Sequence, residues 1–430
     1  MTQSYDLASR FKKLLLASGL LLGSLVATAS EKLVVMTSYP QEMISQFEAA
    51  FEQQFPQYRL EVLWKQSNDA LSYLQEHPGE VDVYWTPSRQ NFSLLAKQGL
   101  LQTLDPAWIH APTSLHGTLL NDPQGLYAAT EISGLGMVIA PSAFEKAKLR
   151  PPQNWQDLTN PALQGQIAFP LPSKVGFATG LIDAMLRGQS WVEGWGMLTR
   201  ITMNSRFIDS GSTFITDEVA SGREMVGLTM DFFAASAIAK GAPLQYRYPP
   251  IVAYFPAHVA ILQQAPHQAA AEAFAQFTLS PAGQRLLFTP DIRKLPVDPA
   301  VYAQRPAGYF NPYAAATSKE DAVRDVIAQN ILNTYFEASL VKHQALLQSL
   351  FVNISFARHL KRDAGKISEI EQQLLQPLLL EQALFSTEHV AAFQATQASE
   401  REALAKQWSE LAKARYQTAA NALQALLVGP

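Results

Sequence analysis

The chain has 430 residues, of which 48% are hydrophobic, and its formal net charge is −4 at pH 7. A chain of this length exceeds the usual limit of one hydrophobic core, so two or three domains are expected. The acidic balance excludes a nucleic-acid-binding surface, and the lack of cysteine excludes structural disulfides, thiolate metal sites and lipid attachment at a cysteine.

The first 29 residues have the pattern of a secretory signal peptide. Arg10, Lys12 and Lys13 precede the apolar run from Leu14 to Val26, and small residues ending at Ala29 then offer a cleavage site. The run is short for a membrane span, and a permanent N-terminal anchor is the alternative. We therefore expect an exported protein that is cleaved near Ala29 and has no stable membrane insertion afterwards.

Residues 30–135 alternate strand and helix signals and are predicted to form a first α/β lobe. Apolar or alternating runs predict strands at 33–36, 58–64 and 81–85, and each run precedes a polar loop and a helical pattern. Such units imply a mostly parallel sheet, which gathers these loops at the edge where open α/β sheets bind ligands. The loops supply the candidate site residues Ser38, Tyr39, Lys65, Ser67, Asn68 and Ser88. The alternative for each polar side chain is a helix cap without any ligand.

A strand-rich stretch at 127–140 is predicted to cross between two lobes. It contains Ser133, and the spacing of Gly134 and Gly136 does not match a nucleotide-binding loop. The second lobe is predicted to cover 136–317, with a return of the chain to the first lobe near 250–300.

The second lobe repeats the α/β pattern. Strands and helices are predicted at 167–169, 176–187, 191–203 and 226–230. The loops after its strands supply the further candidates Ser173, Lys174, Ser210, Gly211, Ser212 and Asp231. Ser280 followed by Pro281 predicts the start of another helix.

Residues 318–430 differ in character, because proline becomes scarce and apolar residues recur at intervals of three and four. One such stripe holds Leu347, Phe351 and Ile354. The pattern predicts an all-helical extension that packs as a small bundle on the second lobe or on itself.

Four short motifs are shared with a known family: Trp155-Gln156-Asp157-Leu158, Gly194-Trp195, Leu279-Ser280-Pro281-Ala282-Gly283-Gln284 and the segment 346–360. With them the sequence resembles the extracellular solute-binding proteins of ABC transporters, in the branch of ferric-ion and phosphosugar binders. The resemblance implies an α/β, two-lobed periplasmic-binding-protein fold of type II with the C-terminal helical extension. It also implies hinge closure over a ligand in the periplasm, and a membrane permease or sensor protein as the partner.

The resemblance carries the family's site loops onto the candidates named above, including Ser133. Hydroxyls and helix N-termini suit a small anionic metabolite, phosphorylated or carboxylated, with Lys65, Arg89 or Lys174 as the counter-charge. A family member with a role in phosphoglycerate transport has an arginine where this chain has Lys65. Lysine keeps the charge but cannot form the two parallel hydrogen bonds of an arginine, so the resemblance does not imply that this chain binds the same ligand. Asp231 is expected to hold a ligand hydroxyl or to be a solvated strand end.

Two other functions stay open. Ferric-binding proteins typically use two adjacent tyrosines, whereas Arg247 separates Tyr246 from Tyr248 here, so packing explains these tyrosines better. The other alternative is a ligand-free interaction protein that works through its extension.

Catalysis is not expected. The sequence has no serine-nucleophile elbow, zinc-protease motif or phosphate loop, and its 8 histidines show no metal-ligand spacing. We predict a binding protein without cofactor or metal, whose closure is reported through residues 318–430. Deletion of that segment is then expected to spare ligand affinity and abolish the downstream response.

Overall fold

A computed structural model describes residues 30–209, 212–250, 252–314, 323–395 and 398–428, without the side chains of 67, 68 and 212–214. The predicted signal peptide lies outside the described residues. The same holds for two predicted site residues, Ser210 and Gly211.

The first lobe follows the predicted alternation of strands and helices. Its parallel strands are β1 (Glu31–Thr37), β2 (Tyr58–Trp64) and β3 (Val83–Thr86), and its helices are α1 (Gln41–Gln54), α2 (Ser67–Glu76) and α3 (Arg89–Lys97). The strands lie in the order β2-β1-β3. Helix α1 buries Met43, Ile44, Phe47 and Phe51, which recur at the helical spacing seen in the sequence.

One long strand belongs to both lobes. Strand β6 (Ala128–Ile139) pairs with β11 (Tyr254–Ile261) and β12 (Leu295–Pro296) through its first half, and with β9 (Val226–Met230) and β10 (Gln245–Arg247) through its second. All 12 of its residues are buried. The predicted crossing stretch is therefore a single strand that joins the two halves of a 10-stranded sheet.

The second lobe continues this sheet in the order β6-β9-β7-β8, with β7 (Ile167–Pro170) and β8 (Ser205–Ile208) parallel to each other and β7 parallel to β9. Its helices are α4 (Pro141–Ala147), α5 (Leu181–Leu186), α6 (Trp191–Asn204), α7 (Ser212–Ala220) and α8 (Asp231–Ala239). Because β7, β8 and β9 run the same way, their carboxyl ends lie at one edge, as in the first lobe.

The chain returns to the first lobe through β11 and two helices, α9 (Gln268–Leu279) and α10 (Pro281–Leu286). The Ser280 hydroxyl caps α10 by accepting from the N–H of Gly283 at 3.3 Å, and Pro281 takes the first helical position, as predicted. Smaller elements are the hairpin of β4 (Ser114–Leu115) and β5 (Thr118–Leu119) and 3-10 turns at Pro106–Trp108, Trp155–Thr159, Pro161–Leu163, Gly176–Gly180, Pro299–Gln304 and Val341–His343.

All regular elements in the described part of the extension are helical, and the extension shares one core with the second lobe. Its helices are α11 (Val326–Ser339), α12 (Gln344–His359), α13 (Ala364–Leu375), α14 (Glu381–Leu384), α15 (Thr387–Gln394) and α16 (Ala398–Val428). Tyr335 meets Trp195 edge-on at 4.8 Å between ring centres, and Phe336 stacks on Phe169 at 5.6 Å. Deleting the extension would expose these rings of the second lobe, so a deletion cannot isolate its role.

The mixed α/β class with C-terminal helices agrees with the predicted fold class. Among the described residues, none of the helices combines the length and the apolar character that crossing a bilayer requires.

Candidate functional site

The loops that follow β1, β2 and β3 meet at one edge of the first lobe. The register of these strands brings Ser38, Lys65 and Thr86 level with one another at the carboxyl ends. The hydroxyls of Ser38 and Thr86 lie 2.5 Å apart and share a hydrogen bond. This edge therefore holds the Ser38 hydroxyl and a lysine side by side, with Ser38 bonded to the buried Thr86.

Three helices begin at this edge without a side-chain cap. The N-cap residues of α1, α2 and α3 are Pro40, Gln66 and Ser88, and none of these side chains accepts a hydrogen bond from its helix. Side-chain caps are present before α6 (Ser190) and α11 (Asp325) and absent before α8 and α9, so uncapped starts also occur elsewhere in the chain. The first N–H groups of α1–α3 are thus not taken by a described N-cap side chain, and the helix dipoles favour a negative group there.

Tyr39 and Lys65 contact other parts of the first lobe and the crossing strand. The buried Tyr39 hydroxyl donates to Glu131, and burial, together with that carboxylate, raises the pKa of this phenol well above its usual value. The Lys65 ammonium lies 4.4 Å from the ring centre of Tyr73. Three predicted site residues have side chains outside the described part of the chain: Ser67, Asn68 and Ser212.

Asp231 lies at the junction of the two lobes and is held from three sides. Its carboxylate accepts from the N–H of Gly134 at 2.7 Å, the hydroxyl of Tyr248 at 2.9 Å and the N–H of Phe232 at 2.7 Å. Only 5% of Asp231 is exposed, so the expectation of a solvated strand end is wrong. Ser133 precedes Gly134 on β6 and is also buried.

The substitution Asp231→Asn is expected to change how stability depends on pH. Burial raises the pKa of Asp231 from 3.8 to about 6, so the folded state pays to ionise it as the pH rises from 4 to 6. The cost reaches about 3 kcal/mol above pH 6 and is absent below pH 4. Urea unfolding at pH 4, 5, 6 and 7 should show the wild type losing stability relative to the variant across this window. A difference that stays constant with pH would contradict the prediction.

The predicted second-lobe loop faces the helical extension. The backbone N–H of Ser173 donates to the Glu337 carboxylate of α11 at 2.7 Å, and the side chains of Ser173 and Lys174 are exposed. A groove of about 930 Å³ lies between this loop and the extension, with Asn333 and Arg401 among its lining residues. An internal carboxylate thus occupies one donor of this loop, and the site role of Ser173 and Lys174 stays a prediction.

Sequence reasoning missed Lys294 and Glu131. The Lys294 ammonium lies 3.0 Å from a Glu131 carboxylate oxygen and 4.9 Å from the ring centres of both Tyr39 and Phe232. Tyr39 belongs to the first lobe and Phe232 to the second, so Lys294 bridges them. No local pattern identifies this pair, because 163 residues separate its two members.

Tyr246 and Tyr248, the tyrosines nearest to an iron-binding pair in the sequence, are engaged in packing and hydrogen bonds. The Tyr246 hydroxyl lies 2.8 Å from the carbonyl oxygen of Gly134 and 2.9 Å from that of Thr229, and the Tyr248 hydroxyl donates to Asp231. Within the described ranges, no three or more His, Asp or Glu side chains are placed to hold a metal ion.

Comparison with known proteins identifies relatives of most of the two-lobed part. The model of the family "Bacterial extracellular solute-binding protein" matches residues 43–317. The phosphoglycerate transport regulatory protein PgtC of Salmonella typhimurium is 30% identical over 314 residues, which cover 73% of this chain and 74% of PgtC.

Solved structures show the same fold at lower identity. The periplasmic binding protein AfuA of Actinobacillus pleuropneumoniae, with fructose-6-phosphate bound, is 19% identical with a TM-score of 0.54 and covers 75% of this chain and 98% of AfuA. Iron-bound HitA of Pseudomonas aeruginosa is 15% identical with a TM-score of 0.56 and covers 71% of this chain and 99% of HitA. The predictions of a two-lobed binding-protein fold and of a non-enzymatic transport component are confirmed. The chain belongs to the bacterial extracellular solute-binding protein family.

Proposed function

We propose that the protein binds a small anionic metabolite, phosphorylated or carboxylated, between its lobes in the periplasm and presents it to an ABC permease or a membrane sensor. The observation that carries the proposal is the first-lobe edge, where three uncapped helices begin beside the level side chains of Ser38, Lys65 and Thr86. Hydroxyls, backbone N–H groups and helix dipoles together favour an anion in such a place.

The similar proteins support a phosphorylated ligand. PgtC is named for phosphoglycerate transport, and AfuA was solved with fructose-6-phosphate. HitA was solved with iron. In this chain, however, the hydroxyls of Tyr246 and Tyr248, which an iron site would need, form internal hydrogen bonds. The anion therefore has the stronger support.

A buried ion-pair chain supports the proposal that the extension responds to lobe closure. Arg324, just before α11, donates to Asp183 at 2.9 Å, and the Arg187 guanidinium lies 3.7 Å from the same carboxylate. Arg187 also donates to the carbonyl oxygens of His116 in the first lobe and Val252 beside β11, each at 3.3 Å. Movement of the lobes would therefore strain contacts that lead directly to the extension.

A thermal-shift screen tests the proposed ligand class. The probes are 3-phosphoglycerate, phosphoenolpyruvate, fructose 6-phosphate and ferric citrate, each added to the full mature chain. A ligand present at 100 times its Kd raises the free energy of unfolding by about 2.7 kcal/mol. We expect stabilisation by at least one phosphorylated anion. Stabilisation by iron alone would replace the proposal with iron transport, and no response to any probe would favour the ligand-free interaction protein.

Substitutions at the first-lobe edge are expected to weaken binding of the anion found by that screen. Ser38→Ala removes one hydroxyl and should cost about 1.5 kcal/mol, near tenfold in Kd, while Lys65→Met also removes a charge and should cost more. Calorimetric titration measures both. Lys97→Met, in the last turn of α3, is the matched control and should leave the Kd unchanged. Equal affinities for all four proteins would move the site away from this edge.

A further inference from the structure

Lys294 is enclosed where the two lobes meet. Its side chain is 10% exposed, and its ammonium sits between the ring of Tyr39 from the first lobe and the ring of Phe232 from the second, 4.9 Å from each. The third neighbour is the fully buried Glu131 on the crossing strand, 3.0 Å away. Two aromatic faces and one carboxylate are the elements of a binding cage for an ammonium group.

The cage is ordered by bonds of its own. The Glu131 carboxylate also accepts from the hydroxyl of Tyr39 and, at 2.6 Å, from that of Thr130. Phe232 follows Asp231, whose three hydrogen bonds fix the start of α8. The walls are therefore held independently of Lys294, and a buried carboxylate faces the place that the ammonium fills.

The location of the cage links it to the ligand loops. Tyr39 directly follows Ser38 at the first-lobe edge, and Phe232 follows the last residue of β9 by two positions at the facing edge. An ammonium has three hydrogens, and among the described side chains Glu131 is the acceptor paired with it. The remaining hydrogens suit an acidic group of a solute bound between the lobes, for which a lysine acts as a point charge.

We propose that Lys294 permanently fills a cation-binding cage where the two lobes meet and that it sets the charge of the solute. It fills the place in which a cationic solute would bind, and its ammonium faces the acidic group of a bound anion. This inference rests on the proposed function, because it names the residue that makes the protein select anions.

The test replaces Lys294 and supplies its missing atoms separately. In Lys294→Ala, n-propylammonium restores the three outer carbons and the nitrogen of the side chain. We expect the affinity of the variant for the anion that binds the wild type to fall at least tenfold. We also expect millimolar propylammonium to raise the Tm of the variant by several degrees and to leave the Tm of the wild type unchanged. Lys32→Ala, a surface lysine paired with Glu61, should behave like the wild type in both assays.

A second variant keeps the test decisive if Lys294→Ala does not fold. Glu131→Gln combined with Lys294→Met removes both charges while keeping the cage filled. It should fold, bind the anion at least tenfold more weakly and show no response to propylammonium. Anion affinity equal to that of the wild type in either variant would overturn the inference, as would a folded Lys294→Ala protein that propylammonium does not stabilise. If the wild type binds none of the anions, the proposed function fails, while the propylammonium response still decides whether the cage exists.

Discussion

Replacing Trp408 with alanine is expected to lower the free energy of unfolding by about 3–5 kcal/mol. Only 1% of Trp408 is exposed, and its indole meets Tyr335 edge-on at 5.4 Å and stacks on Phe393 at 6.5 Å. Tyr335 in turn packs on Trp195, so the cavity would open within the core that the extension shares with the second lobe.

Urea unfolding followed by circular dichroism measures this effect. Because the two parts share a core, the second lobe should unfold with the extension in a single shifted transition. Leu411→Ala, on the same helix at a position that is 45% exposed, is the matched control and should change stability by about 0.5 kcal/mol. A variant whose helical signal melts separately, with the lobes as stable as before, would show that the extension is an independent domain.

Asp183→Ala is also expected to lower the free energy of unfolding by about 3–5 kcal/mol, because it removes the carboxylate that pairs with two arginines. Asp183 is 1% exposed and Arg187 is 5% exposed, so water replaces little of the lost interaction. Arg324→Gln should cost less, since the Arg324 side chain is 22% exposed and Asp183 keeps Arg187. The control Asp217→Asn alters an exposed carboxylate in α7 and should be neutral within about 0.5 kcal/mol.

The same variants examine the link between closure and the extension. If the ion-pair chain couples them, Arg324→Gln should bind the anion normally yet weaken the response of the membrane partner. A normal response from a folded Arg324→Gln protein would restrict the chain of arginines to a stabilising role.

Local patterns in the sequence predicted most elements of the two lobes. Helix α6 was expected at 191–203 and spans Trp191–Asn204. Its start was predictable because Ser190 and Glu193 form a capping box, and its length because apolar residues recur at helical spacing. Strand β9 has the predicted bounds, since a short buried run ends where Asp231 begins α8. Strand β3 spans Val83–Thr86 where 81–85 was predicted, although the Asp82 backbone continues the same pairing: its N–H donates to the Val34 carbonyl oxygen at 3.0 Å, and its carbonyl oxygen accepts from the Leu262 N–H at 2.9 Å.

Only those site residues that lie at the ends of parallel strands could be placed from the sequence. The level placement of Ser38 and Lys65 follows from parallel register, which a series of strand-helix units implies. The contact of Ser173 with Glu337 joins residues 164 positions apart, and no periodic pattern identifies such a partner. The sequence pattern could not predict the role of Lys294 either, because its three neighbours, Glu131, Tyr39 and Phe232, lie far apart in the chain.

In the proposed function, loops from both lobes hold one small anion. Hydrogen–deuterium exchange of the full mature chain, with and without saturating 3-phosphoglycerate or whichever phosphorylated probe binds in the screen, tests it most directly. We expect slower exchange in both lobes at once, at the starts of α1 and α3 and at the start of α8. Protection confined to one lobe, or to the groove between Ser173 and the extension, would contradict the claim.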